Sequence, residues 1–397
     1  MNSQGKKIKV LFFSRWYPYR NDPMLGLFVQ RHAEAVGQFC DVSVLYIQED
    51  EKIKGKTFET EQYTQNGVFT LIIYYRKSKK AVFGRILNVY KYLKAYQKGW
   101  NIIKKQNIKP DIIHTNILTR TGIIALYFRL FRKIPYIITE HWSRYLNNSL
   151  SYKGYFRKIF TRVVVKRASA LTTVTINLMK AMKINHLTNA NTFIIPNVVD
   201  TDKFFPKKKP ILNSKKRIIH ISCFEDVSKN ISGIIRSVQK LSLIRQDFEL
   251  RFVGDGMDKN DLEVYAQRSG VKDSFVFFDG LMEGQQIIDF LNTADFLIQF
   301  SNYENLPVVI IEAFACGLPV LSSDVGGIAE YLNGDRGILV KAGDEEAFIE
   351  KLDYMLSNHS IFDSEKIREY AVNNFSNKVI GESFFNIYNK ILISGKK

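Results

Sequence analysis

The sequence predicts an α/β fold made of two doubly wound, Rossmann-like domains that face a central cleft. Three observations support this prediction. The chain has 397 residues, which is too long for one ordinary hydrophobic core and suits two domains of roughly 200 residues. Short apolar runs typical of strands alternate with helical stretches, as in parallel α/β layers. The alternation occurs twice, and the Lys203 to Lys216 segment separates the two series.

The first series predicts five strands joined by helical stretches, which is the pattern of a parallel sheet. We expect an N-terminal domain over residues 1–200, in which the ends of the strands line a ligand crevice. The predicted strands are Ile8 to Phe13, Val42 to Ile47, Val68 to Tyr75, Asp111 to His114 and Pro135 to Thr139.

The second series begins after Lys203 to Lys216, a segment with two prolines and little apolar periodicity that is predicted to be an exposed linker. A C-terminal domain is therefore expected over residues 201–374. Its predicted strands are Arg217 to Ser222, Glu249 to Val253, Phe275 to Phe278, Phe296 to Phe300 and Pro319 to Ser322.

The net charge of +18 comes from the first half of the chain. Residues 1–200 hold 33 lysines and arginines against 11 acidic residues, and the remainder holds 24 against 28. This asymmetry predicts an anionic partner of the first domain or a well-solvated basic surface.

The apolar run Val10 to Phe13 is too short for a signal peptide or a membrane span. The three cysteines lack disulfide or zinc spacing. We therefore expect a cytoplasmic protein.

Two glutamates, Glu304 and Glu312, bracket seven residues after a predicted strand. Pro307 suits the first position of a helix and Gly317 suits its end. The carboxylates would then flank a positive helix terminus, where a diphosphate binds and carboxylates accept hydrogen bonds from sugar and ribose hydroxyls. Alternatively, Glu304 is a solvated loop charge and Glu312 an ordinary helix residue. The run Val308 to Ala315 holds no other charge, however, and an unpaired carboxylate there would be costly, so the pair favours a nucleotide-sugar site.

The stretch from Glu304 to Val320 and the loop from Asp324 to Glu330 resemble the E-x7-E signature, and the loop after it, of glycosyltransferase family four. The resemblance covers nearly the whole chain. It implies a GT-B fold and a retaining hexosyltransferase of bacterial polysaccharide or glycolipid biosynthesis. The other matching segments are Ile195 to Asp200 with Phe204 and Pro206, Val253 to Gly256, Pro23 with Gly26 to Val29, Asp111 to His114, and Pro135 to His141.

The resemblance also implies roles for individual residues. Glu304 would contact hydroxyls of the transferred sugar, and Glu312 would hold the ribose. Lys229 matches the lysine that neutralises the donor diphosphate, His141 matches a histidine near the donor sugar, and Gly26 would let a loop backbone approach the ligand. The catalytic residues would be Glu304, Lys229 and His141, and the donor-binding residues Gly26, Asn197, Lys229, Glu304, Asn305, Leu306, Pro307 and Glu312.

The sequence departs from the family pattern at two places. Ser222 to Glu225 lacks the arginine that often precedes the lysine, so charge neutralisation would depend more on Lys229. Pro307 replaces a common glycine and removes one backbone donor near the phosphates. The resemblance further implies that a C-terminal helix, about residues 375–397, crosses back onto the first domain.

In this family the leaving diphosphate is thought to accept the acceptor's proton, without a protein nucleophile, a cofactor or a metal. The six histidines show no metal-ligand spacing, which agrees with this. Two alternatives remain open. One is a nucleotide-sugar epimerase of GT-B architecture, which would normally need a further set of acid and base residues. The other is a non-enzymatic nucleic-acid-binding protein, which the basic first half of the chain allows.

Residues Arg76 to Lys109 contain eleven basic residues and no acidic one. From about Gly84 the pattern predicts a helix with Ile86, Leu87, Tyr90 and Leu93 on apolar positions, lysines on another face, and Tyr92, Tyr96 and Trp100 at the depth of lipid headgroups. We expect this surface to meet an anionic membrane and a lipid-linked acceptor at the inner face of the membrane; alternatively, the apolar side packs the domain core. The predicted patch consists of Arg85, Lys91, Lys94 and Lys98, with a second basic run at Lys153, Arg157, Lys158, Arg162, Lys166 and Arg167.

Overall fold

The computed structural model describes residues 6–78, 82–146, 152–208 and 215–395. They form two compact units. The first takes the described residues up to Val174, then Met179–Val198 and the chain from Asn377, and the second takes Thr175–Leu178 and Val199–Ser376. Lys79 and Lys80 of the basic segment, and 209–214 of the predicted linker, lie outside the described residues.

Eight strands form the sheet of the first unit: β1 (Lys9–Ser14), β2 (Asp41–Glu49), β3 (Phe58–Gln65), β4 (Val68–Tyr75), β5 (Ile112–Asn116), β6 (Tyr136–Glu140), β7 (Ala170–Thr173) and β8 (Thr192–Ile194). The order is β3-β4-β2-β1-β5-β6-β7-β8, and only the β3–β4 pair is antiparallel. The sequence pattern predicts five of these strands correctly. It does not predict β3, which is mostly polar and lies at the sheet edge, or the very short β7 and β8.

Neighbouring residues of β1 point to opposite faces of this sheet, and each face is covered by helices. Phe13 contacts Tyr96 and Phe128, with ring centroids 5.4 and 5.5 Å apart, on two helices of one face. Phe12 points to the other face and packs with Val29 and Ala33. The helices are α1 (Leu27–Gly37), α2 (Val82–Lys105), α3 (Thr121–Arg132), α4 (Tyr155–Arg167) and α5 (Ile176–Ile184).

The orientation of α2 corrects the sequence-based prediction. Tyr96 is 4% exposed, and Trp100 packs against Phe128 with ring centroids 4.7 Å apart, so these aromatic residues face the sheet and α3 rather than solvent. Tyr92 likewise packs against Tyr75. At 100° per residue the opposite side of the helix points outward. The predicted apolar positions Ile86, Leu87, Tyr90 and Leu93 are all exposed.

The second unit contains a six-stranded, fully parallel sheet: β9 (Lys216–Ile221), β10 (Phe248–Val253), β11 (Val276–Phe278), β12 (Phe296–Gln299), β13 (Val320–Ser323) and β14 (Gly337–Val340). The strand order is β11-β10-β9-β12-β13-β14. The sequence predicts all of these strands except β14, a short strand at the sheet edge. The helices are α6 (Asp226–Lys229), α7 (Ile231–Ser242), α8 (Lys259–Arg268), α9 (Gln285–Leu291), α10 (Val308–Ala315), α11 (Glu345–Asn358) and α12 (Ser364–Phe375).

The change from the first unit to the second falls between Val198 and Val199. Phe204, inside the predicted linker, is 6% exposed, and its carbonyl accepts a hydrogen bond from Arg368 at 2.9 Å. The beginning of this segment is therefore packed on the second unit instead of running through solvent.

The last helix, α13 (Asn377–Ser394), packs against α1 in the first unit. Gly381 lies at this contact, where a Cβ would come within 2.2 Å of the Ala35 carbonyl oxygen. Glycine is thus required for the close approach of the two helices. Farther along α13, the hydroxyl of Tyr388 lies 2.6 Å from Nδ1 of the buried His114.

Candidate active site

Lys229 ends the short helix α6, which follows the loop after β9. This loop packs closely on the glycine turn after β10. A Cβ at Gly254 would lie 1.9 Å from the Ser222 carbonyl oxygen, and one at Gly256 would lie 2.5 Å from the Phe224 carbonyl oxygen. The two glycines therefore permit the packing that positions the loop before Lys229.

The ammonium group of Lys229 forms an ion pair with the carboxylate of Glu304, on the loop after β12. The two side chains are only 16% and 13% exposed. Ser301 Oγ donates a hydrogen bond to the same carboxylate at 3.3 Å. Burial disfavours the charge of Lys229, but Glu304, together with Cys223 and Glu225, outweighs burial and raises the pKa of Lys229 above its ordinary value. Lys229 is therefore a cation at neutral pH, held beside a carboxylate.

His220 is a buried residue of β9 that the sequence pattern does not single out. Its Nδ1 lies 3.0 Å from the carbonyl oxygen of Ile298, which can only accept, so Nδ1 carries the proton. Nε2 therefore accepts a hydrogen bond from Ser222 Oγ at 2.8 Å. Burial lowers the pKa of His220 to about 3, so the ring is neutral. Through these two hydrogen bonds, the His220 ring links β12 to Ser222, at the start of the loop that leads to Lys229.

The loop that carries Glu304 and Asn305 is supported by the loop after β13. The Asn305 carbonyl accepts a hydrogen bond from the Gly327 N–H at 2.9 Å, and its side-chain oxygen accepts one from Thr175 Oγ1 at 2.8 Å. Gly326 has a φ of +63°, and a Cβ there would lie 2.0 Å from the Glu304 carbonyl oxygen. The glycine at this position is thus needed to bring the two loops together.

Helix α10 begins at Val308, immediately after this loop. Pro307 is the residue before the helix and not its first helical residue, so the predicted start is shifted by one position. Leu306 is 5% exposed. Glu312 is the fifth residue of the helix and is 7% exposed among buried apolar neighbours, as the sequence predicts. Along the chain, Glu304 therefore precedes the N-terminal end of α10, and Glu312 lies about 6 Å along the helix axis from its first residue.

In the first unit, His141 follows β6 and is 9% exposed. Its Nε2 lies 3.3 Å from Asn116 Oδ1, and Asn197 forms a side-chain hydrogen bond with the ring. Burial, followed by the nearby imidazoles of His32 and His114, lowers the pKa of His141 well below its ordinary value. His141 is therefore neutral in the folded protein, and the structure brings together a predicted catalytic residue, His141, and a predicted donor-binding residue, Asn197.

Glu140 precedes His141 and is fully buried. Its carboxylate accepts backbone hydrogen bonds from Leu118 at 2.9 Å, His141 at 3.0 Å and Trp142 at 2.9 Å. This residue therefore orders the loops after β5 and β6 and positions His141. The sequence assigned it no role, although a single carboxylate at the end of an apolar strand is a detectable signal.

Gly26 caps the N-terminal end of α1 with a φ of +70°. A Cβ at this position would lie 2.3 Å from the carbonyl carbon of Trp16. The structure thus supplies a reason for glycine that involves the protein's own backbone, whereas its predicted contact with a ligand stays a prediction.

The four basic residues predicted as a patch lie on α2. Arg85, Lys94 and Lys98 are exposed, whereas Lys91 is half-buried and donates a hydrogen bond to the Arg76 carbonyl at 2.6 Å. Three of the four side chains are therefore presented to solvent.

Two family models match adjoining parts of the chain. The family described as Glycosyltransferase Family 4 matches residues 36–203, and the family described as Glycosyl transferases group 1 matches residues 201–374. A putative teichuronic acid biosynthesis glycosyltransferase of Bacillus subtilis is 23% identical over 87% of this chain and 88% of its own length. The N-acetyl-alpha-D-glucosaminyl L-malate synthase of Bacillus anthracis is 28% identical over 48% of this chain and 49% of its own length.

Solved structures support the same assignment at the level of the fold. Sucrose-phosphate synthase from Thermosynechococcus elongatus matches with a TM-score of 0.78 and 15% identity, over 98% of this chain and all of that one. HepE of Anabaena, in complex with UDP and glucose, matches with a TM-score of 0.71 and 15% identity, over 96% of this chain and 98% of that one. The chain therefore belongs to glycosyltransferase family four and has the GT-B fold of two parallel-sheet α/β domains.

Proposed function

We propose that this protein transfers a hexose from a nucleotide diphosphate sugar to an acceptor hydroxyl and retains the configuration at the anomeric carbon. The observation that carries the proposal is the ion pair between Lys229 and Glu304 just before the N-terminal end of α10. A cation and a helix terminus suit a diphosphate, and an adjacent carboxylate suits the hydroxyls of the sugar attached to it. The complex of HepE with UDP and glucose shows that a protein of this fold binds such ligands.

In the proposed reaction the acceptor oxygen forms a bond to the anomeric carbon as the bond from that carbon to the diphosphate breaks. A diphosphate oxygen on the same face takes the acceptor's proton, so no protein nucleophile is needed. Lys229 stabilises the negative charge that develops on the leaving group, and Glu304 orients the sugar. Glu312 holds the ribose, and neutral His141 hydrogen-bonds near the donor sugar. Because Lys229 and the helix terminus serve as counter-charge, the proposed reaction requires no metal and no cofactor.

Cys223 offers a test of the donor site. It is exposed, whereas Cys40 and Cys316 are buried. Lys229 and Glu304 are its strongest charged neighbours, and partial burial of the sulfur raises the pKa of Cys223. We expect a bound nucleoside diphosphate to slow alkylation of Cys223 by about tenfold or more when the site is saturated. Alkylation at mildly alkaline pH, followed by peptide mass spectrometry, measures this with UDP, GDP, ADP and dTDP in turn.

The same assay separates the parts of the proposal. Protection by a nucleoside diphosphate is expected to persist in excess EDTA, since Lys229 and not a metal neutralises the phosphates. Protection that needs magnesium or manganese contradicts the metal-free site. If none of the four nucleotides slows alkylation, or if the nucleoside protects as well as its diphosphate, the donor site is wrongly placed. Cys223→Ser serves as the control for labelling elsewhere.

We further propose that the acceptor is lipid-linked and that the first unit docks on an anionic membrane at its cytoplasmic face. Helices α2, α3 and α4 together contain thirteen basic residues and no acidic one. They also expose many large apolar side chains. An alpha-monoglucosyldiacylglycerol synthase of Streptococcus pneumoniae, whose name denotes a lipid product, is 22% identical over 72% of this chain. The exposed apolar residues are Phe83, Ile86, Leu87, Val89, Tyr90, Leu93, Ile123, Tyr127, Leu130, Phe131, Tyr155, Phe156, Ile159, Phe160 and Val163.

The two kinds of side chain share one face of α2. At 100° per residue, Phe83, Leu87 and Tyr90 fall on the same side of the helix as Lys94 and Lys98. Apolar side chains beside lysines suit a lipid surface, into which the first group inserts while the second contacts headgroups. A second copy of the chain is a poor partner, because its face carries the same charge. None of the helices in the described ranges is long and apolar enough to span a bilayer.

Vesicle flotation tests this docking. We expect binding to vesicles that contain anionic phospholipid and little binding to zwitterionic ones, with at least about a tenfold loss for Lys94→Glu combined with Lys98→Glu. Phe83→Ser with Phe156→Ser is expected to weaken binding at all salt concentrations. Charge reversal at Lys240 and Lys366, and Leu243→Ser with Ile361→Ser, are matched controls on the second unit. Equal binding to both vesicle types, or salt-sensitive binding to RNA but not to vesicles, contradicts the proposal.

A further inference from the structure

Three arginines follow three adjacent strands of the first unit. Arg15 comes directly after β1, Arg120 lies in the loop after β5, and Arg144 lies in the loop after β6. Strand β5 pairs with both β1 and β6, and all three are parallel. The three loops therefore lie at the same edge of the sheet, which is where open α/β sheets bind ligands.

Two of these arginines are arranged around one aromatic ring. The guanidinium carbon of Arg144 lies 3.7 Å from the centre of the Trp142 ring, and that of Arg15 lies 4.9 Å from the same centre. Arg144 is 8% exposed and donates a hydrogen bond to Thr119 Oγ1 at 3.0 Å. Trp16 packs edge-on against Trp142 with ring centroids 4.9 Å apart. Stacking and hydrogen bonding thus hold the guanidinium groups in place before any ligand binds.

The charges of Arg15 and Arg120 are not balanced by an ion pair with a carboxylate in the described ranges. Glu140 lies close by, but at Arg15 its favourable charge has a smaller effect than burial and the other two arginines, and its carboxylate directs its hydrogen bonds to three backbone N–H groups. Within the ranges that the structure describes, the side chains of Arg15 and Arg120 form no salt bridge and no hydrogen bond. Burial, followed by the like charges of Arg120 and Arg144, lowers the pKa of Arg15. Like charges that interact at a ligand-binding edge destabilise each other, and a bound anion relieves that repulsion.

The loop after β5 also has unusual backbone geometry. Ile117 has a φ of +65° and Arg120 a φ of +71°, although neither is a glycine. Such conformations cost free energy, most of all for a β-branched residue, and they are concentrated at ligand-binding and catalytic sites. The loop is held in this form by the Glu140 carboxylate, which accepts the N–H of Leu118, and by the Thr139 carbonyl, which accepts that of Ile117 at 2.9 Å.

We propose that Arg15, Arg120 and Arg144 form a binding site for an anionic group of the acceptor, such as a phosphate or a carboxylate on the sugar that receives the transferred hexose. The statement that the ligand is the acceptor rests on the proposed function, whereas the anion site itself does not depend on it. Guanidinium groups bind both kinds of oxyanion through paired N–H donors. Trp16 and Trp142 are partly exposed and provide apolar surface beside the charges, which suits the ring of a sugar. A neutral glycan would leave the charges of Arg15 and Arg120 without a counter-ion.

The test measures binding of small charged sugars to the full-length chain. Lys229→Ala is used as background, so that the donor site does not retain the phosphate probe. Ligand-observed NMR compares glucose 1-phosphate, methyl glucuronide and methyl glucoside, which carry a phosphate, a carboxylate and no charge. We expect at least one charged sugar to bind and the neutral one not to bind. Arg15→Gln and Arg120→Gln are each expected to weaken charged-sugar binding by about tenfold, the loss typical of one charge-assisted contact.

Controls keep this proposal separate from the proposed function. Arg132→Gln, which removes an exposed arginine of α3, is expected to leave binding unchanged, and Arg15→Lys is expected to retain part of it. If charged sugars bind no better than methyl glucoside, or if neither arginine variant weakens them, the anion site is wrong even when nucleotides protect Cys223. If binding depends on the arginines but no nucleotide protects Cys223, the anion site stands and the proposed donor site falls. Binding of the phosphate probe alone, or of the carboxylate probe alone, identifies which anion the acceptor carries.

Discussion

Replacing Lys229 by alanine is expected to lower kcat/KM for the nucleotide sugar by about a hundred- to a thousandfold. The leaving diphosphate gains negative charge in the transition state, and Lys229 is the cation that the second unit holds beside Glu304. Because Glu304 raises the pKa of Lys229 above its ordinary value, the lysine is charged throughout the neutral range. The loss should therefore be nearly constant between about pH 6 and pH 9. Initial rates with a panel of sugars of the nucleoside diphosphate that the protection assay identifies measure it.

Matched variants separate catalysis from folding in this experiment. Lys229→Ala leaves the carboxylate of Glu304 without its ion pair, so the thermal midpoint of each variant must be recorded. Lys229→Arg keeps the charge and is expected to recover part of the activity. Lys240→Ala removes an exposed lysine of the same unit and should have no effect. A Lys229→Ala protein that folds like the parent and has the parent's kcat/KM contradicts the proposed role.

The fold could be predicted from the sequence wherever strands are buried and apolar. Strands such as β1 and β4 are mostly apolar, because helices cover both faces of the sheet that they belong to, so their sequence pattern is clear. Strand β3 is different, since one side of an edge strand faces water and its polar sequence resembles a loop. The prediction that Tyr92, Tyr96 and Trp100 of α2 lie at the depth of lipid headgroups was wrong, because they face the sheet and α3. The outer side of α2 also carries large apolar residues, among them Phe83, Leu87 and Tyr90, so apolar periodicity alone cannot distinguish the two sides.

The candidate site was predicted in part. The spacing of Glu304 and Glu312 around a helix start is local, and the structure confirms the helix with a shift of one residue. The ion pair between Lys229 and Glu304 joins residues 75 positions apart, and no local pattern reports such a contact. The same limit applies to His220 and Glu140, whose roles depend on which loops lie next to them. The arginine cluster likewise arises from the order of strands β1, β5 and β6 in the sheet, which composition does not determine.

Glu312 and Glu304 are expected to affect different steps of the reaction. Glu312→Gln should raise the Kd of the protecting nucleoside diphosphate by about tenfold to a hundredfold, the loss typical of a charge-assisted hydrogen bond to ribose. Its kcat at saturating donor should change little, because ribose contacts persist through the reaction. Glu304→Gln should lower kcat by about a hundredfold and leave the Kd of the nucleoside diphosphate nearly unchanged, because that ligand has no sugar for Glu304 to contact. Calorimetry and steady-state rates measure the two effects.

The buried position of Glu312 makes its stability control essential. The side chain is 7% exposed within the apolar helix α10, so its replacement can also destabilise the second unit. Glutamine keeps the shape and one hydrogen-bond acceptor, and the thermal midpoint shows whether the fold is kept. Glu346→Gln, at an exposed position of α11, is the matched control. Wild-type nucleotide affinity in a folded Glu312→Gln protein would remove Glu312 from the donor site. If both variants instead lose nucleotide affinity equally, Glu304 acts on the diphosphate through Lys229 and not on the transferred sugar.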